Sequence, residues 1–329
     1  MEECGTIFIK KQGARQVKYV IIGSGSIGML LSSYLAQQTN SLLLATHRNI
    51  QANQIEQKGL HLVHTDKITK VQHVRTSSCS ALLKNNLTDI ETIDVMIIAV
   101  KSHQVKQVLE DLKGIEHKVA SILFLQNGMG HTEMFHDISI PEVAVGVVEH
   151  GAMRTNDWTV YHTGVGRLRW SYVQAGKKVI ETAFSPLRLN EFPILQEKNW
   201  IPLLHSKLIV NACVNPLTAL LMVKNGQLLE NKYYLNMMSQ VFDEACTVLE
   251  TSEKDQMWEY VRDVCQKTSS NSSSMLLDFE KKRKTEIDSI LGYLLRQAAN
   301  KKIHAPIIAY LHDAIKGKEV EFREGEVES

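Results

Sequence analysis

Lys207, Asn211 and Asn215 recur every four residues in an otherwise apolar run of Leu208, Ile209, Val210, Ala212, Cys213 and Val214. At roughly 100° per residue a step of four drifts only about 40°, so the three side chains line one stripe of a helix. A surface helix would carry a broad polar face with several charges. Here one ammonium and two amides cross a mostly apolar helix. A buried ammonium without a partner is costly, so the stripe must line a cleft or meet a counter-charge. Hydride delivery to a ketone builds negative charge on oxygen, and a placed ammonium can stabilise that charge and hand over the proton. The bland alternative is a snorkelling lysine beside two capped or solvated asparagines. Pro216 is expected to kink the helix just past the stripe. Asn225-Gly226 reads as the stop that ends the segment.

A second segment could hold the hydride source. Gly23, Ser24, Gly25, Ser26, Ile27 and Gly28 spell GxGxxG between the apolar run Lys18–Gly23 and the helical pattern Ile27–Gln38. That context gives the pattern its meaning. Gly23 suits a tight turn, Gly25 lets backbone approach a pyrophosphate, and Gly28 lets helix and strand pack closely. The helix N-terminus then offers amide hydrogens to the anion. About 20 residues on, an NAD site carries an acid for the ribose hydroxyls. This chain reads Ala45-Thr46-His47-Arg48-Asn49 there, with no acid. Arg48 can clasp a 2′-phosphate through paired hydrogen bonds, so the cradle reads as one for NADPH over NADH. A solvated surface arginine is the alternative.

Lys101 and Asn127-Gly128 directly follow the apolar runs Asp94–Val100 and Ser121–Leu125. Ligands of doubly wound folds bind at such strand ends, although Asn-Gly is also an ordinary turn pair. Nothing local marks Ser274 or Glu286. The histidines lack ligand spacing: His61 and His64 fall in a strand-like segment and would face opposite sides, so no metal is expected.

The elements that must position these groups follow from hydrophobic patterning. The first half alternates apolar runs with helical periods, as in a parallel sheet covered on both faces. Leu60–Val63 and Val71–Val74 read as a hairpin, and Glu142–Val148 and Trp158–Tyr161 add strands. From about Trp200 the chain reads as helix after helix, through Pro202–Val223, Gln227–Leu249, Lys254–Cys265, Ser274–Asn300 and Pro306–Lys316. The expected architecture is α/β, a Rossmann-type doubly wound domain over 17–198 followed by an all-α domain over 199–317. Residues 1–16 read as an extension, and 318–329 as a frayed acidic tail outside the core.

With 37 Lys+Arg against 36 Asp+Glu, the 329-residue chain has a net charge of +1, which excludes a strongly basic nucleic-acid or membrane binder. The five cysteines are scattered, without a Cys-x-x-Cys pair, as suits a reducing compartment. The most hydrophobic stretch, residues 201–223, carries His205, Lys207, Asn211, Asn215 and Pro216, which a lipid-facing span does not tolerate. A cytoplasmic protein is expected, and a homodimer is left open.

Together these segments resemble the ketopantoate reductase (2-dehydropantoate 2-reductase) family over about Val17 to Lys316. The resemblance rests on GSGSIG at Gly23–Gly28, VKSHQ at Val100–Gln104, LQNGMGH at Leu125–His131, KLIVNACVNPLTAL at Lys207–Leu220, NGQL at Asn225–Leu228, SSML at Ser273–Leu276 and TEIDSILGYLL at Thr285–Leu295. It implies reduction of 2-dehydropantoate to (R)-pantoate with NADPH, on the way to pantothenate and coenzyme A. By that resemblance Lys207 is the proton donor. Asn127, Lys207, Asn211, Asn215, Asn225 and Ser274 hold the substrate's oxygens. Glu286 lies by the cofactor ribose, Lys101 and Arg48 by its phosphates, and Ala152 by the nicotinamide. The chain departs from the family pattern before His150, where Val147-Val148-Glu149 replaces a Thr-rich version. The rivals are a reductase of another oxo acid and a non-catalytic NADPH sensor, which would need no proton donor.

Overall fold

The computed structural model describes residues 16–72, 74–82, 92–187, 189 and 191–327. The expected extension, apart from Gln16, lies outside these, as do the last two residues of the tail. Strand β1 (Tyr19–Ile22) is buried at all four residues, which only a sheet covered on both faces allows. Helix α1 (Ser26–Leu35) leads to β2 (Leu42–Thr46), parallel to β1, and then to α2 (Asn49–Lys58). A hairpin of β3 (Leu60–His64) and β4 (Lys67–Val71) follows, then β5 (Arg75–Ser78), the single turn α3 (Cys79–Ala81) and β6 (Ile93–Ile98). Next come α4 (Val105–Leu112), β7 (Val119–Phe124), β8 (Glu142–Val148), β9 (Gly151–Arg154), β10 (Thr159–Gly164), β11 (Leu168–Gln174), α5 (Val179–Phe184) and β12 (Ile194–Gln196).

The main sheet has the order β12-β11-β8-β7-β6-β1-β2-β5. Strand β1 sits between β2 and β6, so the chain leaves it on one side and returns on the other. Tyr19 registers with Leu42 and with Val95, and all three strands are parallel. Their C-terminal ends therefore open a crevice at a topological switch point. A second sheet, β4-β3-β10-β9, packs against α1.

The remainder is helical: α6 (Trp200–Leu221), α7 (Gln227–Glu230), α8 (Lys232–Val248), α9 (Lys254–Lys267), α10 (Ser274–Glu280), α11 (Ile287–Lys301) and α12 (Pro306–Val327). Helix α6 is buried around most of its circumference and packs on α8, α9, α10, α11 and α12 as well as on β8 and β11. Alternation along the strands splits the core into two clusters. Tyr19, Ile21, Val95 and Ile97 face α1, whereas Val20, Ile22, Met96 and Ile98 share a cluster that runs on into Leu208, Ile209 and the other helices. Each fully buried Ile or Leu contributes roughly 1.5–3 kcal/mol.

Four expectations are corrected. The hairpin returns over Lys67–Val71, not 71–74, because Thr65 and Asp66 take positive φ of 43° and 63° and turn the chain early. Helix α6 continues through Pro216, and its stop is Met222 in the left-handed region at φ 55°. Gly226 instead precedes α7 with φ −63°. The region Ser274–Asn300 is two helices, with the break ahead of Glu286. Finally, α12 carries on past residue 317. Buried Glu319 accepts hydrogen bonds from the Thr285 amide at 2.7 Å and its hydroxyl at 2.6 Å, and the Phe322 ring meets Phe279 edge-on. Glu319 and Phe322 are thus part of the packed structure, because they fall on the inward face of the helix.

Candidate active site

The glycine turn lies at the switch point. Gly23 has φ +114°, and a Cβ there would sit 2.8 Å from the carbonyl of Ala99. A Cβ on Gly28 would sit 1.8 Å from the Gly23 oxygen. Both positions need glycine to bring strand, turn and helix together. Gly25 differs: a Cβ built there meets no protein atom within 4 Å, and no side chain caps α1 behind it. The turn therefore presents bare backbone and a helix N-terminus to open space, a fit for a pyrophosphate.

The serines of this turn do structural work. Ser24 Oγ donates to Gln51 Oε1 at 2.7 Å, and its carbonyl accepts from Arg154 Nη1 at 3.3 Å. Ser26 Oγ accepts from the Arg154 amide at 3.1 Å. Ile27 packs against the α1-side core. Strand β9 is thus laid over the start of α1, carrying half-buried Ala152 two residues before Arg154. Arg48, at the N-cap of α2, is half exposed and ion-paired to Asp157 from the β9–β10 turn. The junction that lacks an acid in sequence has one in space.

At the other strand ends, the two halves of the chain meet. Lys101 Nζ donates to Asp278 Oδ2 on α10 at 2.7 Å, and buried Asp278 also takes Arg283 Nη2 at 2.9 Å. Asn127 Nδ2 donates to Glu286 Oε2 at 3.0 Å, while Glu286 Oε1 accepts from the Ser102 amide at 3.1 Å. Gly128, at φ +74°, brings the loop so near α11 that a Cβ would sit 2.1 Å from the Ser289 carbonyl oxygen. The Met129 amide bonds that oxygen at 2.9 Å.

The stripe on α6 is mostly buried. Asn211 is 5% and Asn215 7% exposed, and Asn211 Nδ2 has no hydrogen-bond partner. Lys207 is half-buried and unpaired among the described residues. Burial pulls its ammonium below the ordinary lysine range, and the carboxylate of Glu149 pushes the other way. Glu149 is itself held by Arg167 and Arg169, each at 3.4 Å. Asn225 Nδ2 donates to Thr268 Oγ1 at 2.9 Å, but its Oδ1 is buried without a partner. Ser274 is exposed as the first residue of α10. Its neighbour Ser273 is buried, caps α10 by accepting from the Leu276 amide, and accepts from Thr218 Oγ1 at 2.7 Å. Among the described residues no cluster of three His, Cys, Asp or Glu side chains could hold a metal, and no helix is long and apolar enough to cross a membrane.

Sequence reading missed Gln51, Arg154, Asp157, Asp278 and Ser289. Arg154 lay within the EHGAMR segment, where a basic residue shortly before a turn was a usable signal. The others declare themselves only through partners more than 20 positions away.

The family profile described as "Ketopantoate reductase PanE/ApbA" matches residues 19–175, and "Ketopantoate reductase PanE/ApbA C terminal" matches 199–319. The chain belongs to the ketopantoate reductase family. The 2-dehydropantoate 2-reductase of Bacillus subtilis (strain 168) is 39% identical over 304 residues, covering 92% of this chain and 98% of its own. The crystal structure of a probable 2-dehydropantoate 2-reductase, panE, from Bacillus subtilis superposes with a TM-score of 0.79 at 38% identity, covering 92% of this chain and all of the other. The ternary structure of D-mandelate dehydrogenase with NADH and anilino(oxo)acetate shares the fold at a TM-score of 0.82 and 21% identity, over 93% of this chain and 100% of that one. Ketopantoate reductases are nicotinamide-dependent oxidoreductases, and this chain is an enzyme of that class.

Proposed function

We propose that the chain reduces 2-dehydropantoate to (R)-pantoate with NADPH, Lys207 donating the proton. The observation that carries this reading is the unpaired Lys207 ammonium on α6, beside an asparagine amide that is buried and unsatisfied. Polar groups left unpaired in a core call for a polar ligand.

In this reading the backbone of Gly23–Gly28 holds the cofactor's pyrophosphate. Arg48 faces the 2′-phosphate and Lys101 the phosphate region. Glu286, Asn127 and Ala152 line the ribose and nicotinamide side. When bound, NADPH supplies the hydride that reaches the C2 keto carbon. Asn127, Asn211, Asn215, Asn225 and Ser274 orient the oxo acid through its carboxylate, keto and hydroxyl oxygens. Lys207 stabilises charge growing on the keto oxygen and passes it a proton. Its lowered pKa favours that role, since a weaker hold on the proton makes a better acid near neutral pH.

Lys207→Ala should lower kcat by about a hundredfold or more while NADPH still binds. Absorbance at the nicotinamide band, with 2-dehydropantoate and a panel of other oxo acids, measures both rate and preference. Near-normal turnover by the variant would remove the proton-donor role. A stronger preference for another oxo acid would move the substrate assignment.

A further inference from the structure

Asp157 stands where the chain order hides it. It lies 109 positions from Arg48, yet its Oδ1 accepts the Arg48 Nη2 hydrogen bond, and its side chain is 19% exposed against 51% for Arg48. The turn is held there independently of that carboxylate. Gln51, 1% exposed, donates Nε2 to the Asp157 carbonyl at 3.1 Å and accepts from Ser24 Oγ of the glycine turn. Asn156 Oδ1 accepts the amides of Trp158 and Thr159, and the Lys58 ammonium lies 3.4 Å from the centre of the Trp158 ring. The backbone is pinned, so the carboxylate is presented to Arg48 by design of the turn and not by chance of a loose loop.

We propose that Asp157 is a specificity-determining residue for the cofactor, holding Arg48 against the grip of a 2′-phosphate and so narrowing the preference for NADPH over NADH. The inference rests on the reading of Arg48 as the 2′-phosphate ligand. A phosphate brought to a paired arginine meets the carboxylate as well as the guanidinium, and like charges at such range repel. A free 2′-hydroxyl has no such conflict, because a carboxylate accepts its hydrogen bond. Asp157 therefore supplies, from another segment, the acid that NAD sites carry at the end of the second strand.

The test is binding of NADPH and NADH, followed by nicotinamide fluorescence with no oxo acid present. Asp157→Asn keeps the shape and the backbone bond to Gln51 but removes the charge. It should tighten NADPH by roughly five- to tenfold and change NADH by less than about twofold, because the amide oxygen still accepts from a 2′-hydroxyl and screening at this half-exposed site is partial. Arg48→Ala should abolish most of the preference for NADPH. If Arg48→Ala does so but Asp157→Asn leaves the ratio unchanged or weakens NADPH, Asp157 is idle or merely orients the guanidinium, and the inference is overturned while Arg48 keeps its role. If Arg48→Ala weakens both cofactors equally, the reading of Arg48 fails and the inference falls with it. Retained NADH binding reports that each variant is folded.

Discussion

At Lys207 two electrostatic effects oppose each other. Desolvation on α6 lowers its pKa, and the main charge opposing that shift is Glu149, which Arg167 and Arg169 in turn hold. In the proposed role Lys207 works in its protonated form, so turnover should fall as pH rises through a pKa below the ordinary lysine value. Removing a nearby negative charge makes the ammonium easier to deprotonate. Glu149→Gln should therefore move the alkaline limb of the kcat profile to lower pH, by about half a unit to one unit. An unmoved limb would show that Lys207 does not sense this carboxylate.

Helices and strands are placed so that loops deliver these groups, and the loop after β7 does so under a tight constraint, with a positive φ at Gly128 and a close backbone neighbour. Gly128→Ala would drive a Cβ into the Ser289 carbonyl at a positive φ, against backbone that cannot swing away. Urea unfolding should show a loss of about 2 kcal/mol or more. A loss well below that would mean that the loop can be re-laid without cost. This same loop shows how far sequence reading reaches. The buried strands β1, β6 and β7 were legible because both faces are covered and their runs are uninterrupted. Helix α6 was legible because Lys207, Asn211 and Asn215 break an otherwise apolar surface. Asn127 was visible at a strand end, but its partner Glu286 sits among Lys and Arg, where nothing local marks it. Its carboxylate is satisfied by the Ser102 amide and Asn127, both more than 150 positions away in the chain. The acid beside Arg48 was invisible for the same reason: a salt bridge between the N-cap of α2 and the β9–β10 turn leaves no local trace.

Seen whole, the sheet and the helices do not meet as two finished surfaces. Val20, Ile22, Met96 and Ile98 belong to the same cluster as Leu208 and Ile209, and the buried carboxylates Asp278 and Glu286 take partners from the strand side. Cutting the chain between Gln196 and Trp200 would leave each fragment with a raw apolar face, and the helical one with carboxylates stripped of the lysine and amides they hold. Calorimetry on the intact protein should consequently record one melting peak, with van't Hoff and calorimetric enthalpies in agreement. The crevice proposed to hold the reaction is then not a gap between neighbours but a seam in a single cooperative solid, formed or lost all at once.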